Sequence, residues 1–144
     1  MKLWNTVTWR NDASLSVLKN DANIAKGSEK MAGKFALAVA YSVDGKLLAC
    51  STMDGTVAIF DSTRGKLLHH LEGHNMPVRS LVFSPVDPGI LFTASDDKHV
   101  RMYDAKNNSI VCAMSGHGSW VLCVDASPDG SALATGSSDR TVRL

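Results

Sequence analysis

Residues 73–104 read GHNMPVRSLVFSPVDPGILFTASDDKHVRMYD, and residues 116–144 read GHGSWVLCVDASPDGSALATGSSDRTVRL. The two stretches align when shifted by 43 positions. Gly-His leads each copy, Ser-Pro follows the first apolar run, and an aspartate-led turn comes later, at Asp97 or Asp139. An earlier copy over residues 35–72 keeps the turn aspartate, Asp54, but Met31-Ala32 stand where Gly-His would be. A chain that repeats at this spacing folds as a row of like units. Each unit is too small to bury its own apolar face and is covered by its neighbour.

Within the units the pattern is that of strands. Val78, Leu81 and Phe83 recur as Val121, Val124 and Ala126, and the earlier copy supplies Ala36, Val39 and Tyr41. Each run ends in Ser-Pro or Asp-Gly turn chemistry, which favours fixed or positive φ. Second strands rich in small residues follow at 47–51, 90–95 and 132–137. After the aspartate turn, Val57 and Ile59, Val100 and Met102, and Val142 and Leu144 alternate with Ala58, Arg101 and Arg143, the period of a strand. Shorter fourth strands fit 66–71 and 109–114, while 2–5 and 15–18 fit the third and fourth strands of a preceding unit.

Four strands per unit, at a period in the low forties, describe the blades of a β-propeller. The expected fold is all-β: a partial propeller of antiparallel four-stranded blades. Its expected divisions are the end of a blade at 1–19, an exposed polar loop at 20–34, blades at 35–72 and 73–115, and a blade cut short at 116–144. Propellers close with about 4–8 blades, so on this count the ring is not closed.

A net charge of +1, with 20% charged residues, offers no field to steer nucleic acid or acidic lipid. Aromatic residues are 6%, too few for a base-stacking groove, so direct nucleic-acid binding is not expected. Three cysteines, Cys50, Cys112 and Cys123, sit singly in strand-like runs and read as small buried thiols of an intracellular chain. The longest apolar run, 35–41, is far too short to span a bilayer. Phosphate-binding glycine motifs are absent, and Cys112, His117 and Cys123 have neither paired spacing nor a fourth ligand for zinc. No metal, cofactor or small-molecule substrate is expected.

The Gly-His pairs at 73–74 and 116–117, the turn aspartates and Trp4 resemble the WD-repeat family over nearly the whole chain. The resemblance implies a hydrogen-bonded tetrad of His, Ser or Thr, Asp and Trp in each blade. Carried over, it gives His74, Thr93, Asp97 and Tyr103, and then His117, Thr135 and Asp139. The preceding blade would have Asp54 and Phe60, with Cys50 in the hydroxyl position, and Trp4 would be the aromatic of the first. The stretches at 66–89, 116–130 and 134–144 further resemble the WD-repeat subunits shared by the Ski (superkiller) complex and the RNA polymerase II-associated factor complex, in their plant form. That resemblance implies a scaffold in mRNA decay and in transcription elongation with histone modification, in cytoplasm and nucleus, with protein subunits as partners. A ubiquitin-ligase substrate receptor is the alternative adaptor.

His74, Thr93 and Asp97 also supply the residue types of a hydrolase triad. Catalysis needs an exposed nucleophile beside an oxyanion site. These hydroxyls lie in strands, the set occurs twice, and no Gly-x-Ser-x-Gly elbow exists. The set therefore reads as structural, and no catalytic residue is expected. Trp120 stands in the loop leading into its blade, where Met76 and Pro77 stand in the blade before. Trp120 and Met76, with Met53, Asp96 and Ser138 just before the turn aspartates, are the expected partner-binding rim.

Overall fold

The computed structural model describes residues 1–8, 10–15 and 35–144, and every regular element among them is a strand. The expected polar loop at 20–34 lies outside the described residues. Strands β3 (Ala36–Tyr41), β4 (Leu47–Thr52), β5 (Val57–Asp61) and β6 (Lys66–Leu71) form one antiparallel sheet in chain order. Strands β7 (Val78–Phe83), β8 (Ile90–Ser95), β9 (Val100–Asp104) and β10 (Ser109–Met114) form the next. Strands β11 (Val121–Ala126), β12 (Leu133–Ser137) and β13 (Val142–Arg143) form a third sheet of three strands. The described sheets do not close into a ring.

At the N-terminus, β1 (Lys2–Trp4) pairs with β2 (Asn11–Ser14). The return strand therefore comes earlier than the expected 15–18, of which only Leu15 is described. The cause is local. Asn5 Oδ1 accepts the amides of Val7 and Thr8 at 2.9 and 2.8 Å, closing a tight side-chain turn directly after Trp4. Asp61 repeats the device after Phe60, and Asp104 after Tyr103.

The sheets stack face to face, and the apolar core lies in the seams. Strands β4 and β5 are buried on both faces, so their alternation is apolar on either side. Ala49, Val57 and Ile59 turn toward Val78, Leu91 and Tyr103 of the next sheet. Leu48, Cys50, Ala58 and Phe60 turn the other way, toward Leu15, Met1 and Leu3. Ala94 and Val100 meet Val121 and Val124 across the third seam. First strands β3, β7 and β11 lie side by side. Ser80 Oγ accepts the Val124 amide at 3.3 Å between them. Every inner strand thus carries a neighbour.

The cysteines depart from expectation. All three are free thiols, but only Cys50 is buried, while Cys112 and Cys123 are exposed. Cys112 lies on β10, the outermost strand of its sheet, where all six side chains face solvent.

Candidate partner-binding rim

In the second full sheet, His74 Nδ1 lies 2.7 Å from Asp97 Oδ2, and Nε2 lies 2.8 Å from Thr93 Oγ1. A carboxylate only accepts, so Nδ1 carries the proton and Nε2 accepts from the threonine hydroxyl. Arg101 Nη1 donates to the same Asp97 oxygen at 2.6 Å. Gly73, at φ 137, makes room: a Cβ there would meet Ile110 Cδ1 at 2.9 Å and Tyr103 Oη at 3.0 Å. The set recurs one sheet on, with His117 at 2.9 Å from both Asp139 Oδ2 and Thr135 Oγ1.

The aromatic positions do not complete these sets by hydrogen bonding to threonine. Tyr103 donates its hydroxyl to the Glu72 carbonyl at 3.2 Å and tilts its ring against His74. Burial pushes its pKa up to about 12. Phe60 is wholly buried and contributes packing alone. Cys50 replaces the threonine; burial pushes its thiol pKa up. Asp54 is engaged instead by the Thr52 hydroxyl and the Thr56 amide. Trp4 is 59% exposed in β1 and joins no such set among the described residues. Its strand is the outer layer of the first seam, so nothing described covers the indole.

A nucleophile in these sets would have to be Thr93 or Thr135. Both hydroxyls are hydrogen-bonded, and Thr93 is fully buried. No substrate reaches the Thr93 oxygen so placed.

Burial, with the nearby charges of Arg101 and His99, holds the His74 pKa below its ordinary value although Asp97 raises it. Asp97 is pushed up by burial but held below the ordinary carboxylate value by hydrogen bonds from Arg101 and His74. The pH consequence has a definite sign. With the folded pKa of His74 below 6.5, the unfolded chain takes up a proton first as pH falls. Stability is therefore lost as pH drops from 6.5 through the lower folded value. A further loss follows below pH 3.8, where Asp97 is held deprotonated in the folded state. Urea midpoints measured against pH should show the first loss in the wild type and a smaller one in His74→Gln. A midpoint that rises on acidification through this range contradicts the assignment.

One edge of the sheets is built by a second recurring device. The residue before each turn aspartate donates its amide to the carbonyl of the loop leading into the sheet. Met53 donates to Phe35, Asp96 to Pro77 and Ser138 to Trp120, each at 3.0 Å. Serine hydroxyls reinforce two of the ties, from Ser95 to the Met76 carbonyl at 3.1 Å and from Ser137 to the Trp120 carbonyl at 2.7 Å. Turn and lead-in loop are thereby locked together, while the apolar side chains they carry stay in solvent. Phe35, Met53, Met76 and Trp120 are 63, 40, 39 and 48% exposed.

The expected rim residues separate into two kinds. Trp120, Met76 and Met53 are presented outward. Ser138 braces the Trp120 loop through Ser119 Oγ at 2.8 Å. Asp96 is buried, which corrects its place as a contact residue. It grips Arg79 through Nε at 3.0 Å and Nη2 at 2.6 Å. Arg79 was not among the expected rim residues. It falls at a β-bulge between Val78 and Ser80, and the same bulge recurs at Leu37 and Leu122. A bulge takes one residue out of pairing and re-aims it. Phe35 was also missed, although its place before Ala36 matches Trp120 before Val121. Among the described residues no His, Cys, Asp and Glu cluster could hold a metal ion, and no helix is long and apolar enough to cross a membrane.

Comparison with known proteins gives a family match. The family model described as "WD domain, G-beta repeat" matches residues 65–104 and 108–144. That of the "Anaphase-promoting complex subunit 4 WD40 domain" matches residues 11–84. WD repeat-containing protein VIP3 of Arabidopsis thaliana is 62% identical over 136 residues, covering 94% of this chain and 42% of the relative. WD repeat and SOCS box-containing protein 1 of Homo sapiens is 36% identical over 72% of the chain and 25% of its own length. COMPASS component SWD3 of Saccharomyces cerevisiae is 36% identical over 72% of the chain and 33% of its own length. The chain thus spans less than half the length of each of these relatives.

Proposed function

Because the chain belongs to the WD-repeat family, we propose that it serves as a non-enzymatic scaffold that binds other proteins through the rim of Phe35, Met53, Met76 and Trp120. The observation that carries this reading is the repeated tie between turn and lead-in loop. It fixes exposed apolar side chains on rigid sheets, so little side-chain or loop order is lost when a partner docks. The buried His, Thr and Asp sets hold the turns that form this rim.

The proposed assembly is that of the resembling plant subunits. Two assemblies share such a subunit: the RNA polymerase II-associated factor complex, in transcription elongation with histone modification in the nucleus, and the Ski complex, in cytoplasmic mRNA decay. The 62% identity to VIP3 supports a plant WD-repeat subunit over other adaptors. A ubiquitin-ligase substrate receptor is the second reading, favoured by the likeness to a SOCS box-containing protein.

Affinity purification followed by mass spectrometry separates the two. Elongation-factor or helicase subunits should be recovered; ligase subunits in their absence would sink the first reading. Trp120→Ala should reduce recovery of those subunits, with a loss of about 2 kcal/mol or more in binding if Trp120 is a hot spot. Unchanged recovery at unchanged thermal stability removes Trp120 from the interface.

A further inference from the structure

We infer that the segment received by this rim is acidic, with apolar side chains between its carboxylates. The inference rests on the rim being a partner-binding surface and adds the chemistry of the partner.

The charges of the rim are sorted by sign. Its carboxylates are engaged by hydrogen bonds within the fold, Asp96 buried and Asp54 exposed. Asp96 is forked to Arg79, and Asp97 takes His74 and Arg101. Asp139 takes His117, the Gly118 amide and the Thr141 hydroxyl, and Asp54 takes Thr52 and Thr56. The cations of these turns lie in solvent. Lys98 and Arg140 are exposed, each in the same turn as one of these aspartates. Arg79 keeps Nη1 outside its fork with Asp96.

The backbone adds an independent observation. Lys98 and Arg140 adopt φ of 73° and 70°, the left-handed region that side chains avoid. The equivalent turn in the preceding sheet uses Gly55 at φ 89°. A basic side chain thus stands twice where the fold itself favours glycine. Strain kept at equivalent surface positions points to a use outside the fold. Each cation also shares a tied turn with an apolar side chain, Lys98 with Met76 and Arg140 with Trp120. Alternating cation and apolar contacts complement alternating carboxylate and apolar groups. One tryptophan and one phenylalanine, on separate turns among thioethers, are a poor stacking platform for successive bases, which disfavours RNA as the occupant.

Fluorescence anisotropy on the full chain tests this. The probes are a labelled peptide of alternating Glu and Phe, matched peptides with Gln or Lys for Glu, and an oligouridylate. The Glu peptide should bind best and weaken with added salt. The double variant Lys98→Gly, Arg140→Gly should weaken it about tenfold. Its melting temperature should hold or rise, because glycine suits the left-handed turn. If these residues served the fold alone, the melting temperature would fall and the affinity would not change. Lys98→Glu with Arg140→Glu should transfer preference to the Lys peptide. Equal binding of the Gln and Glu peptides, stronger binding of oligouridylate, or unchanged affinity in the glycine variant each overturns the inference. Trp120→Ala separates the two readings. If it leaves Glu-peptide affinity untouched while the glycine variant lowers it, the apolar rim fails and the acidic partner stands.

Discussion

Asp97→Ala is expected to remove about 3–5 kcal/mol of stability, as breaking one partner out of a buried charged set does. Two groups lose their acceptor at once. His74, whose side chain is fully buried, is left with an unpaired Nδ1–H, and Arg101, 16% exposed, keeps its charge without a counterion. The turn also loosens, because Asp97 Oδ1 accepts the His99 amide at 3.1 Å. Folded domains hold only about 5–15 kcal/mol, so a loss of this size should lower the urea midpoint strongly. Asp96→Ala, one position away, should instead free Arg79 and alter the rim more than the core. Equal urea midpoints for Asp97→Ala and wild type would mean that the set does not fasten the sheet.

Phe60→Ala is the second large effect, about 3–5 kcal/mol for deleting a buried aromatic side chain. Phe60 is wholly buried between β5 and the Leu3–Leu15 layer, and it stands where Tyr103 of the next sheet makes a hydrogen bond. With Cys50 in place of a threonine, this sheet depends on packing. Phe60→Leu should therefore recover a large part of the loss, since it restores much of the volume. Phe60→Tyr should not, because it places a hydroxyl in an apolar cluster. A thermal or urea melt resolves all three. If Phe60→Tyr proves as stable as wild type, a buried acceptor is present and the packing account is wrong.

The sequence carried the strands because their alternation and turns are local. Val57, Ile59, Val100 and Met102 announce a period of two, and Asp-Gly and Ser-Pro mark the breaks. His74, Thr93 and Asp97 were legible as a set through the resemblance to the WD-repeat family, and the set recurs in the second copy. Less legible was whatever depends on register. Asp96 and Asp97 are the same residue type side by side. Only the turn geometry shows that one faces His74 and the other Arg79. The bulges that free Leu37, Arg79 and Leu122 leave no mark in composition. Trp4 fitted the aromatic position, yet its exposure depends on what stands outside β1, which the motif does not encode. Cys112 misled for the same reason: its apolar run reads as core, but β10 is an outer strand.

The central claim is that one rim, held by buried fasteners, receives a protein partner. Hydrogen–deuterium exchange on the chain, alone and bound to its co-purified partner, tests it most directly. Protection on binding is predicted at 35, 53–56, 75–77, 96–98, 118–120 and 138–140, the tied turns and lead-in loops. Protection confined to the outer strands β6 and β10, with the rim exchanging as in the free chain, would contradict it.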